Sequence, residues 1–149
     1  LPIYRLRFLL PIRNPLDCAR STMDKGYVRF FDGLPEDADA FAVVRAVLDE
    51  IHWFAKLQAR WPNRFFSYFE HEISRSMLER MAGFLRIEPT PAWLDDAEQA
   101  MQTKPGYDHP AELRAFYRQC VMERFADLPE YRVGLLAFDE STQAMRRSA

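Results

Sequence analysis

Charged and apolar residues alternate at the start of the chain, with Tyr4, Leu6 and Phe8 set against Arg5 and Arg7, before the run turns wholly apolar at Leu9-Leu10. Alternation with period 2 marks a half-covered strand, and a continuous apolar run marks one covered on both faces. A strand is therefore predicted over Tyr4 to Ile12, of the kind that lies in a parallel sheet flanked by helices. Pro11 has no N–H to give to a ladder, so the strand is expected to end or bulge there. Asn14-Pro15 turns the chain, and Leu16 to Met23 is predicted as a helix with Pro15 near its first turn. Lys25-Gly26 and Asp32-Gly33-Leu34-Pro35 read as loops. From about Asp37 to Trp61, the positions Phe41, Val44, Leu48, Ile51 and Ala55 recur at alternating steps of three and four, the stripe of an amphipathic helix stopped by Trp61-Pro62-Asn63.

A second strand is predicted over the short aromatic run Arg64 to Phe69. Ile73, Met77, Met81 and Phe84 then mark one face of a third helix. Thr90 as N-cap and Pro91 at the first helical position open a fourth, over roughly Ala92 to Met101, and Lys104-Pro105-Gly106 breaks it. Pro110 starts a further helix whose apolar face holds Leu113, Tyr117, Cys120 and Val121. Pro129 ends that helix, and Tyr131 to Phe138 fits strand or helix equally well. Two strands joined by a helical crossover form a βαβ unit, which places them parallel in one sheet. Two strands are too few for a stable α/β domain. The chain also begins at Leu1 rather than a methionine, so it reads as a piece of a longer protein whose other strands lie upstream.

Composition adds limits. At 149 residues, 48% hydrophobic and 14% aromatic, the chain is the size of one domain and has the apolar content to form a core. Its 20 basic and 22 acidic side chains leave a net charge of -2, which calls for neither nucleic acid nor an anionic membrane. No apolar run is long enough for a transmembrane helix, and no signal-peptide pattern opens the chain. Cys18 and Cys120 form no CxxC pair and are expected as buried free thiols in a reducing, cytoplasmic setting.

Candidate chemistry gathers at the end of the first strand, where ligands of open α/β sheets bind. Arg13 stands at that end, and Ser21 follows eight residues later on the next helix. A guanidinium is a rigid fork of donors suited to a phosphate, and a hydroxyl with helix N-terminal amides would complete the cradle. Arg20 is an additional candidate contact. The plainer alternative is that Arg13 pairs with a nearby carboxylate such as Asp17.

The segment Phe8-Leu9-Leu10-Pro11-Ile12-Arg13-Asn14-Pro15-Leu16-Asp17-Cys18-Ala19-Arg20-Ser21 resembles the 3'-phosphate-binding motif of the sulfotransferases that use 3'-phosphoadenosine-5'-phosphosulfate (PAPS). In that family an apolar strand ends in Arg-Asn/Asp-Pro, with a serine eight residues after the arginine. The region from Asn63 to Ile87 resembles the family's next strand and helix. It closes on Phe84-Leu85-Arg86-Ile87, with Arg86 where glycine is usual, and Pro89 and Trp93-Leu94 follow as in bacterial members. The resemblance runs from about Tyr4 to Met101, with residues 102–149 as a helical tail to a single partial domain over 1–149. It implies the C-terminal part of a P-loop-like, three-layer α/β fold. It also implies that Arg13 and Ser21 hold the 3'-phosphate of PAPS, with Tyr68 at a strand end that can touch the adenine, for transfer of a sulfuryl group to a small-molecule or glycan acceptor.

Other parts of the family pattern have no counterpart. The phosphosulfate loop and the catalytic histidine or glutamate are expected upstream, the late GxxGxxK motif is missing, and no catalytic residue is assigned. The fragment is thus expected to bind the donor's 3' end without transferring its sulfuryl group. No metal is expected: Glu70-His71-Glu72 reads as a solvated loop, and no two histidines have ligand spacing. His52 falls on the long helix, and His109 falls at a helix start, where it would help with capping. Cys18 and one of Tyr68 and Phe69 are expected in packing roles. A competing reading from another class is a mostly helical protein-interaction domain with no nucleotide site.

Overall fold

A computed structural model describes residues 6–102 and 106–147, and in it the chain is a mixed α/β protein, mostly helical, with one small parallel sheet. The order is β1 (Phe8–Ile12), α1 (Pro15–Asp24), α2 (Ala40–Arg60), β2 (Phe65–Phe69), α3 (Arg75–Leu85), α4 (Pro91–Ala100), α5 (Ala111–Arg124) and α6 (Pro129–Arg147). Short 3-10 turns at Val28–Phe30 and Glu70–Glu72 complete it. Tyr4, Arg5 and the Lys104-Pro105 break lie outside the described residues. The chain divides into two compact units, Leu1–Ile12 with Leu57–Lys104 and Arg13–Lys56 with Pro105–Ala149.

The first unit holds the sheet, α3 and α4. β1 pairs with β2 in parallel, Phe8 opposite Phe65 through Ile12 opposite Phe69, and the rings of Phe8 and Phe65 stack at 4.9 Å. Contrary to expectation, β1 runs through Pro11 without a bulge. The Phe8 amide donates to the Arg64 carbonyl across the pair, so by the alternation of a parallel ladder Leu10 and Ile12 also face β2. Pro11 therefore faces the other edge, where its missing N–H removes no bond of this ladder. The strand is also less covered than its apolar sequence predicts, since Phe8 and Leu9 stay partly exposed. Phe66 and Tyr68 of β2 pack with Ile73 and Trp93 against the buried cluster Met77, Leu78, Met81 and Leu94.

Caps set the helix limits here. Ser74 Oγ accepts from the Met77 amide, and Thr90 Oγ1 from the Trp93 amide, each satisfying a donor the helix leaves open. α3 ends at Arg86 in the left-handed conformation (φ 60°), with Ile87 N–H bonded back to the Ala82 carbonyl at 2.9 Å. That is a Schellman-type end, which favours glycine.

The second unit is helical: α1, most of α2, α5 and α6. Leu16, Ala19, Val43, Val44, Leu48, Tyr117, Val121, Phe125 and Leu135 form its interior. Asp39 Oδ1 caps α2 through the Ala42 amide. Tyr131 to Phe138 belongs to α6, and Pro129 opens that helix as well as closing the preceding turn, because a proline at the first helical position loses no bond. Buried Asp139 on α6 is paired with Arg118 and lies 3.7 Å from Arg114 Nη1, both on α5. The buried Tyr117 hydroxyl donates to the Leu135 carbonyl at 2.6 Å, and burial, then the Asp139 charge, raises its pKa well above the usual tyrosine value. Cys18 and Cys120 form no disulfide and are half-buried rather than buried. No helix among the described residues is long and apolar enough to cross a membrane.

Two stability predictions arise. Arg86→Gly should raise stability by about 0.5–1 kcal/mol, because the left-handed penalty for a side chain exceeds the added unfolded-state entropy of glycine; a thermal melt that moves down refutes it. Asp139→Ala should cost about 3 kcal/mol in denaturant unfolding, by leaving the arginines on α5 without their buried counter-charge.

Candidate functional site

β1 delivers the chain directly to Arg13, which is exposed, and Asn14 then caps α1. The Asn14 side-chain oxygen accepts from the Leu16 amide at 3.0 Å, and its carbonyl accepts from the Cys18 amide at 2.9 Å. Pro15, at the first helical position, has no N–H to satisfy. The Asn-Pro pair is thus a complete helix-start device, and it alters one expectation. The amides of Leu16 and Cys18 are committed to Asn14, so they do not supply the anticipated amide cradle.

Ser21 is half-buried on α1, seven residues beyond Asn14. At 100° and 1.5 Å per residue that is about two turns, on the same face as the cap and roughly 10 Å along the axis. An anion touching both ends of this segment would rest along the helix, held by side chains. Arg20 is exposed and ion-paired with Asp24 one turn later, at 3.0 Å. With both side chains about half exposed, such a pair is worth little and can give way to a phosphate.

Asp17 sits in the first turn of α1, where the helix dipole favours a carboxylate. Its Oδ1 accepts from the Tyr107 amide at 3.1 Å and lies 2.7 Å from His109 Nε2. His109 is buried, 6% exposed. The sequence places it as a capping residue, but α5 starts at Ala111 with Pro110 at the N-cap and no side-chain cap, and the ring bonds Asp17 instead. A carboxylate oxygen only accepts, so Nε2 carries the proton of this bond. A Cβ at Gly106 would stand 2.6 Å from Asp17 Oδ2, so the loop passes where only glycine fits without displacement. The pairing of Asp17 with residues 106–109 spans some ninety positions and leaves no sequence signal.

Tyr68 lies in the other unit, in register with Pro11 and half-buried over the α3–α4 cluster, where burial raises its pKa. Phe69, also considered for packing, is buried and stacks on His71 at 5.5 Å. Glu70–Glu72 forms a 3-10 turn with His71 and Glu72 exposed, and Glu72 accepts from the Phe69 amide at 3.3 Å. Among the described residues no three His, Cys, Asp or Glu side chains are grouped to hold a metal ion.

No sequence motif marks a cleft of about 470 Å³ in the helical unit, lined by Arg45, Asp49, His52, Cys120 and Arg124 among others. Burial raises the Cys120 thiol pKa, against the opposing effect of Arg45. The thiol is therefore no activated nucleophile. His52 meets Phe125 edge-on at 5.4 Å, and Asp49 pairs with Arg124.

Comparison with protein-family models, with curated proteins and with solved structures finds no match to this chain. The site therefore rests on its own geometry. Asn14→Ala should cost about 1 kcal/mol in denaturant unfolding through loss of the α1 cap; Asn14→Ser should recover most of that, and an unchanged midpoint for the alanine variant refutes the capping role.

Proposed function

We propose that this chain is part of a PAPS-dependent sulfotransferase, with a P-loop-like fold, and that it holds the 3'-phosphate of the donor nucleotide through Arg13 and Ser21. One observation carries the reading: a parallel strand ends at Ile12, an exposed Arg13 follows at its carboxyl end, and the next helix bears Ser21. That is the location at which open α/β sheets bind ligands, and arginine suits a phosphate at such a point. The first strand, the exposed arginine and the capped helix also match the order of the motif that the sequence resembles. Arg20 would add a charge once released from Asp24.

In this reading Arg13 and Ser21 fix the donor without touching the sulfuryl group that moves. Their loss should weaken donor binding more than it slows the chemical step. The acceptor is a small molecule or a glycan with a hydroxyl or amine. The catalytic base and the groups that stabilise the bridging oxygen in an in-line displacement belong to residues not assigned in this chain.

A second reading, a helical interaction domain without a nucleotide site, is favoured by the exposed aromatic side chains Trp53, Phe54 and Trp61 on and just after α2. Titration with adenosine 3',5'-bisphosphate separates the two. Saturable binding is expected, with Arg13→Ala weakening it at least about tenfold, the loss of one charge-assisted phosphate contact. A folded protein with no calorimetric or thermal-shift response favours the interaction domain.

A further inference from the structure

The contacts of Asp17 do more than decorate a helix start. Asp17 is three residues into α1, between Arg13 and Ser21, and both of its oxygens face residues 106–109. Oδ1 takes the Tyr107 amide and the His109 ring, while Oδ2 closes on Gly106 so tightly that a methyl group there would stand at 2.6 Å. The carboxylate side chain is only 12% exposed and the imidazole 4%. The Tyr107 ring also meets the His109 ring edge-on at 6.4 Å. Asn14 below and Asp17 above thus grip the first turn of α1 from two directions, one local and one from a loop far along the chain.

We propose that His109 is a positioning residue: acting through Asp17, it locks the first turn of α1 and so sets the relative placement of Arg13 and Ser21. The proposal rests on reading those two residues as a phosphate site. The chemistry explains why such a lock is useful there. A carboxylate beside an anion site opposes the anion, and two donors on one oxygen engage that negative charge within the fold. A first turn free to fray would also spread Arg13 and Ser21 over many separations, and ordering them would weaken binding.

The test uses the whole chain and two independent readouts, amide hydrogen exchange at Cys18 and its neighbours in α1 and titration with adenosine 3',5'-bisphosphate. His109→Ala should lower exchange protection at residues 18–20 about tenfold and weaken nucleotide binding by a similar factor. His109→Gln, whose amide nitrogen reaches the place of Nε2, should restore both, whereas His109→Asn, which reaches only the place of Nδ1, should not. A generally destabilising role would not separate Gln from Asn in this way. Gly106→Ala, which forces Asp17 aside without removing a hydrogen bond donor, should reproduce the alanine phenotype and stands in if His109→Ala does not fold. Unchanged protection in His109→Ala and Gly106→Ala overturns the lock. Lost protection in the variants, with a wild-type chain that binds no nucleotide, upholds the lock and sinks the phosphate reading instead. Lost protection with undiminished nucleotide binding overturns the positioning role.

Discussion

Two parallel strands cannot be joined by a tight turn, and much of this chain's organisation answers to that constraint. β1 ends at Ile12 and its partner β2 begins at Phe65, in register from Phe8 opposite Phe65 onward. The connection must carry the chain back to the starting end of the sheet. It does so with α1 and α2, and those helices supply the helical unit with much of its apolar interior, including Leu16, Val44 and Leu48. The crossover is thus both the means of parallel pairing and part of a separate core. It also places the exposed Arg13 at the carboxyl end of a strand, where a charged side chain can meet a ligand. Pro11 fits the same constraint. Its missing N–H falls on the edge of β1 away from β2, so the residue that looked like a strand breaker leaves the β1–β2 ladder undisturbed.

What could be read from the sequence was what depends on near neighbours. The steps of three and four from Phe41 to Ala55 mark α2, and of that stripe Val44, Leu48 and Ala55 are buried, Ile51 is partly buried and Phe41 is exposed. Thr90-Pro91 marks the start of α4, and the aromatic run at Phe65–Phe69 marks β2. Each of these signals lies within a few residues of its effect. Pro129 was harder, because a proline both stops one helix and begins another. Only the burial of Tyr131, Leu135 and Phe138 along one face of α6 decides that the next segment is helical. The cysteines and β1 miss in the other direction: apolar character predicts burial, while the amount of covering chain decides it.

The candidate site shows the same division. Arg13, Arg20 and Ser21 can be nominated from the sequence because the chemistry of a strand end and a following helix is local. Tyr68 was legible as an aromatic strand residue, but its half-burial over Met77 and Met81 comes from α3, which no pattern at Tyr68 reports. The bonds from Asp17 to Tyr107 and His109 were beyond reach, since they join residues that share no motif. Arg86 is instructive in a different way. The resemblance flagged it as a departure from glycine, and the left-handed φ of 60° gives the physical reason glycine is favoured there.

Asn14 and Asp17 carry a warning about reading motifs as function alone. Asn14 and Pro15 are explained in full by the start of α1, and Asp17 by its bonds to the 106–109 loop, without any ligand. A motif can therefore be partly a folding device. Here Arg13 and Ser21 lie outside that device: Arg13 is exposed after the strand, and Ser21 is two turns up the helix on the face of the cap. Neither is needed to close the helix start. The separation of roles has a physical advantage, because the groups that fix the backbone need not be disturbed when a ligand enters or leaves. It also limits what the site can be: with the amides of Leu16 and Cys18 committed to Asn14, an anion here depends on side chains. Its affinity should then follow the charge and placement of Arg13 more than the dipole of α1.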